Sequence, residues 1–128
     1  EYTTRIPALP GKADAWLLHI EHLYESAAIY VNNKYLGTLF NAPYTIEIPA
    51  SVLKGNDELK IKVSNLMANR ISYMDKRGLE WKIFYNANID SKGRMNVGKD
   101  GKFDAGNWSP RPSGISGKVI LRPLSCIK

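Results

Sequence analysis

A chain of 128 residues, 44% hydrophobic and 23% charged, has the size and balance of one globular domain, enough to bury about two-thirds of its unfolded surface in a core. No apolar run approaches the ~20 residues of a membrane span, and Cys126, the single cysteine, rules out an internal disulfide. The net charge of +6 raises nucleic acid as a partner, but the basic residues are scattered and no nucleic-acid motif accompanies them, so the charge reads as a solvated basic surface.

Residues 1–12 read as a lead-in, punctuated by Pro7, Pro10 and Gly11, with Ile6 and Leu9 available to pack. Glu1 and the absence of a leader-like segment suggest a piece excised from a larger chain. Trp16, Leu18 and Ile20 alternate with Leu17, His19 and Glu21, which predicts a long strand. His19 and His22, three apart on it, are expected on opposite faces, unable to share a metal: one a satisfied sheet histidine, the other an edge histidine.

The stretch from Ala27 to Asn65 carries the clearest pattern. Ile29 and Val31 alternate with Ala28 and Tyr30; Asn32-Asn33-Lys34 is a turn, because Asn tolerates positive φ; Leu36 to Phe40 returns as the partner strand. Tyr44, Ile46 and Ile48 form the next alternating run, ended by Pro49, and Ala50 to Leu53 fits one helical turn. Leu59, Ile61 and Val63 then alternate with Lys60, Lys62 and Ser64, a half-buried strand. The exposed face of this stretch reads as lysine and threonine.

Beyond Asn65 the period changes. Met67, Ile71, Met74 and Leu79 are spaced for a short helix, with Gly78 placed to end it. Leu79, Trp81, Ile83 and Tyr85 fit a strand or a second apolar turn. Asn88 to Asn107 reads as a long loop, and Lys118 to Leu121 as the closing strand. Long loops in compact domains are uncommon and often functional, so residues 65–112 are where function is expected.

The patterns A-x-I-Y-V-N-N-x-x-L-G, P-Y-x-x-x-I-P and L-x-G-N-D-E-L-x-I-x-V-x-N between Ala27 and Asn65, with Ser113-Gly114-Ile115-Ser116-Gly117 leading into a last strand, resemble the sugar-binding domain of family 2 glycoside hydrolases. Related galactose-binding-like jelly rolls occur in family 106 α-L-rhamnosidase-type enzymes. The likeness runs from about Ala15 to Pro123. Asn33 stands where the family usually has Gly, Asp57 where it has Asn, and Lys118 where it often has Pro.

The resemblance implies an all-β sandwich, a galactose-binding-like jelly roll with a short helix and a long loop insertion, forming a single domain over residues 1–128. It implies an accessory or carbohydrate-binding domain, itself non-catalytic, of a larger periplasmic or extracellular glycoside hydrolase acting on plant or host polysaccharides. Its partner would be a catalytic domain on the same polypeptide; an autonomous carbohydrate-binding module is the alternative, and a stand-alone enzyme the third reading.

Catalytic motifs are absent: no local pattern singles out the two carboxyl groups that glycoside hydrolysis needs. No cofactor is expected. Galactose-binding-like domains often carry a structural calcium, and Asp90, Asp100 and Asp104 are its candidate ligands or else solvated loop acids. Sugars stack on aromatic rings and take hydrogen bonds from amides and guanidinium groups. Tyr73, Trp81, Tyr85 and Trp108, interleaved with Asn69, Arg70, Asn86, Asn88 and Arg111, are therefore the candidate carbohydrate site; packing of the two indoles under the loop is the alternative.

Overall fold

The computed structural model describes residues 1–82, 96–99 and 101–125. They fall into two compact units, Glu1–Asn65 with Ser113–Lys128, and Leu66–Pro112. In the first unit the period-two runs become strands: β1 (Tyr2–Arg5), β2 (Ala15–Tyr24), β3 (Ser26–Val31), β4 (Lys34–Leu39), β5 (Thr45–Pro49), β6 (Glu58–Ser64) and β7 (Gly114–Leu124). They form two antiparallel sheets, β1-β6-β3-β4 and β5-β2-β7, the β-sandwich expected from sequence. One hydrophobic cluster draws on both: Trp16, Leu18, Ile20 and Ile48 from one sheet, Ala27, Ile29, Val31, Leu39, Leu59 and Ile61 from the other. Each supplies the apolar half of an alternating strand, so one pattern sets both the strands and the core.

Three local readings change. The lead-in contains a strand: Tyr2–Arg5 pairs antiparallel with β6, Tyr2 opposite Ile61, and so covers an otherwise open edge. Ile6, just after it, is buried, and Leu9 packs on the core. The closing strand extends well beyond Lys118–Leu121, with Pro123 tolerated because β7 is an edge strand. The β2–β7 register shifts between Ile20 and His22, which breaks the alternation assumed for the histidines. Glu21 and His22 are both exposed and Leu23 is buried, so sequence parity does not fix their faces. His19 Nδ1 is buried without a hydrogen-bond partner among the described residues.

The Asn32-Asn33 turn forms as expected. Both residues have positive φ, +48° and +64°, the type I′ geometry that matches strand twist. The Asn32 amide donates to Asp57 Oδ1 at 2.6 Å and its carbonyl oxygen accepts from Glu58 N at 2.9 Å, joining the β3–β4 turn to the start of β6.

Gly114 opens β7 at φ +87°, and a Cβ there would stand 2.5 Å from Tyr2 Oη; its N–H donates to Asn65 Oδ1 at 2.7 Å. Gly114→Ala is expected to cost about 2 kcal/mol from left-handed strain and this close approach, read as a lowered urea midpoint at unchanged slope.

The second unit holds α1 (Ala68–Lys76). Gly78, at φ +62°, ends the helix as expected: its N–H donates to Asp75 O at 3.0 Å, and Leu79 N to Met74 O at 2.9 Å. Leu79–Lys82 are in no regular element. An isolated antiparallel bridge joins Val97 to Phe103.

Candidate functional site

The second unit is organised by a polar stripe on its helix. Asn69, Ser72 and Asp75 lie at i, i+3 and i+6, on one side of α1. Each reaches the loop that follows. Asn69 Nδ2 donates to Arg111 O at 2.8 Å and Asn69 Oδ1 accepts from Arg111 N at 2.8 Å, a clamp that mimics a strand pair. Ser72 Oγ lies 3.5 Å from Trp108 O.

Asp75 is the hub. Its side chain is 5% exposed and pairs with Lys82 Nζ at 3.1 Å. Oδ1 accepts from Trp81 Nε1 at 2.6 Å and Oδ2 from Ala105 N at 2.7 Å. Lys82 Nζ also donates to Phe103 O. Burial pushes the Asp75 carboxyl up, but the bonds from Ala105, Trp81 and Lys82, with the lysine's charge, outweigh it and hold the group below its ordinary value.

Around this hub the aromatic rings meet edge to face. Phe103 lies between the two indoles, 6.3 Å from Trp81 and 5.8 Å from Trp108, both at 83°, the arrangement ring quadrupoles favour. Lys82 Nζ lies 5.6 Å from the Trp81 ring centre and 5.8 Å from that of Phe103. The Trp108 N–H donates to Asn96 Oδ1 at 2.7 Å. Both indoles are half-buried, and each N–H has an internal acceptor.

The expected site residues therefore divide. Trp81 and Trp108 share Phe103, while Asn69 and Arg111 hold each other. Trp108, Asn96, Asn107 and Arg111 line an open groove of about 930 Å³. Arg70 and Tyr73 lie elsewhere on the helix surface: Tyr73 is 54% exposed, and Arg77 sits over its ring at 5.5 Å. Tyr85, Asn86, Asn88, Asp90, Asp100 and Cys126 lie outside the described residues. Asp104 Oδ1 accepts from Gly106 N at 2.7 Å. No group of three or more potential metal ligands occurs among the described residues.

Sequence reasoning missed Asp75, Lys82, Asn96 and Phe103, which organise the unit. The signal for them lies in the polar spacing on the helix, 69–72–75, rather than in its apolar residues. It also missed aromatics in the first unit. Tyr30 and Tyr35 pair across β3 and β4 on the outer sheet face, so that face is not lysine and threonine alone.

Acid should weaken both units. Burial pushes the Asp57 carboxyl up as well, but bonds from Asn32, Lys54 and Gly55 hold it below its ordinary value. A carboxyl lowered in the folded state stabilises above its unfolded pKa, and that contribution fades as pH falls through the folded one. Thermal melts should therefore show a steady midpoint down to about pH 4 and a steepening loss below it; an unchanged midpoint at about pH 3 would contradict both assignments.

Comparison with known proteins gives the same class. No protein-family model matches the chain. It is 34% identical over 55 residues to a "Putative beta-glucuronidase" of Formosa agariphila, covering 43% of this chain and 5% of that protein. The structure matches a rhamnosidase from Novosphingobium sp. PP1Y with a TM-score of 0.68 and 25% identity, over 94% of this chain and 10% of the rhamnosidase chain. Nearly the whole of this chain is thus similar to a domain-sized portion of a glycoside hydrolase, the class its sequence motifs resemble.

Proposed function

We propose that this chain is a non-catalytic accessory domain of a larger, exported glycoside hydrolase, bracing a catalytic domain on the same polypeptide. The observation that carries this is the match of 94% of the chain to only 10% of a rhamnosidase chain. A sandwich of this extent leaves room in such a protein for a separate catalytic domain. The loop unit also favours an architectural role, because its indole N–H groups and the Asn69 amide are spent on internal partners. Within the loop unit, carbohydrate contact in this reading is limited to the groove beside Trp108 and Arg111.

The test is to produce the full reading frame with and without residues 1–128. The deletion should lower the melting temperature of the remaining enzyme while its turnover per folded molecule on aryl glycosides stays within about twofold, and the isolated chain should show no turnover. Turnover by the isolated chain would overturn the proposal. Binding of neutral oligosaccharides by the isolated chain, lost in Trp108→Ala without loss of fold, would instead establish an autonomous carbohydrate-binding module.

A further inference from the structure

We infer that the outer face of the sheet β1-β6-β3-β4 is a binding platform for a carbohydrate chain bearing carboxylate groups. The register sets out this face. Thr3, Lys60, Tyr30 and Tyr35 form one row across the four strands. The next row holds Lys62, Ala28 and Thr38. The inward positions of β3 and β6, Ile29, Val31, Leu59 and Ile61, are buried in the core, so their alternating neighbours face out.

The first row presents an aromatic surface. Tyr30 and Tyr35 have ring centres 5.5 Å apart, tilted by 57°, and Tyr35 is 54% exposed. Its hydroxyl is fixed by Thr38 Oγ1 at 2.9 Å, which orients the ring. Ala28 keeps the second row low beside the rings, so a ligand can lie against the exposed Tyr35 ring. Apolar sugar C–H faces suit such a platform.

The charge on the face selects the ligand. Arg5, Lys60 and Lys62 occupy outward positions, against Glu58 alone from the strands. Lys60 is positioned by Asn33 Oδ1 at 2.8 Å and lies 3.9 Å from Glu58. Lys62 lies 5.3 Å from the Tyr30 ring centre and 3.8 Å from Glu1, both side chains about half-exposed. The exposed Lys62–Glu1 pair is weak and readily exchanged for a ligand carboxylate. Lys60 and Lys62, two residues apart on one strand, are separated by roughly 7 Å along it, so they can meet carboxylates on a chain crossing β6.

This site uses none of the residues of the loop groove, and it holds whether or not the chain braces a catalytic domain. The experiment is an NMR titration of the 128-residue chain with oligogalacturonate and with oligoglucuronate, beside the carboxyl-reduced form of each. Backbone shifts should concentrate on β3, β4 and β6 for at least one uronate. Lys60→Ala/Lys62→Ala should weaken binding about tenfold and flatten its salt dependence, and Tyr35→Ala should weaken it about tenfold. Lys60→Arg/Lys62→Arg should retain binding. Melting curves identify any variant that has lost its fold, and the conservative arginine pair then carries the comparison. Equal affinity for the reduced oligomers, shifts confined to residues 66–112, or no binding of either uronate would overturn the assignment.

Discussion

Asp75→Ala is expected to dismantle the aromatic cluster of the second unit. The carboxylate accepts from Trp81 and from the Ala105 backbone and pairs with Lys82, while being 5% exposed itself. Removing it takes an acceptor from three donors at once, of which Lys82 keeps Phe103 O. Loss of one partner from a buried ion pair costs about 3–5 kcal/mol; Lys82 is 32% exposed and can recover water, which places the expected loss near the lower end, about 3 kcal/mol. The two indoles of this unit should then become hydrated, so tryptophan emission shifts to the red and the near-ultraviolet dichroism of the packed rings is lost. Trp16, only 5% exposed in the sandwich core, provides an internal reference that should remain blue. Asp75→Asn retains the shape and one acceptor but not the charge, and should fall between. Unchanged emission in the alanine variant would show that ring packing alone holds the unit together.

That hub also shows where sequence patterns lose their power. In the sandwich, apolar periodicity and burial are the same fact. Leu18, Ile20, Ile29, Val31 and Ile48 are fully buried and all stand at alternating positions that a reader of the chain can pick out. The two-residue turn at Asn32-Asn33 was legible too, since few other residues accept positive φ. β1 was not: Tyr2–Arg5 has no apolar alternation, and its pairing is decided by the open edge of β6, which exists only once the sheet has formed. The register shift after Ile20 was hidden for the same reason.

The second unit was legible only in outline. Its helix and the Gly78 stop follow from local propensity. The face that helix turns to the loop does not, because among its described residues only Ser72 is buried and the contacts are hydrogen bonds donated by Asn69 and Ser72 and accepted by Asn69 and Asp75. Hydrogen-bond partners 30 to 42 residues away leave no periodic trace. Aromatic residues can be counted from sequence, but whether an indole N–H faces solvent or Asp75 cannot be read there. The candidate carbohydrate residues accordingly divided between an internal cluster, a groove and an outward helix surface.

Asp57→Ala should produce the corresponding loss in the sandwich. Asp57 is 3% exposed. Its carboxylate accepts from the Asn32 amide at 2.6 Å, from Lys54 N at 2.8 Å and from Gly55 N at 2.9 Å. Gly55 and Asn56, at φ +86° and +55°, form a left-handed turn that these bonds stabilise. Each buried donor left unmade costs about 1–3 kcal/mol; the adjacent groove lined by Gly55 and Asp57 lets water recover part, so about 3 kcal/mol in total is expected from urea unfolding. Asn32→Ala removes one of the same bonds, and a double-mutant cycle should return a coupling of about 1–2 kcal/mol. Additive effects would mean the two turns are stabilised separately. Asp57→Asn is the informative control. The domains this chain resembles often have Asn at this position, and an amide oxygen can still accept from the two backbone N–H groups. That variant should lose about 1 kcal/mol at neutral pH, and its stability should become flatter with acid, because the carboxyl whose lowered pKa made the turn acid-sensitive is gone.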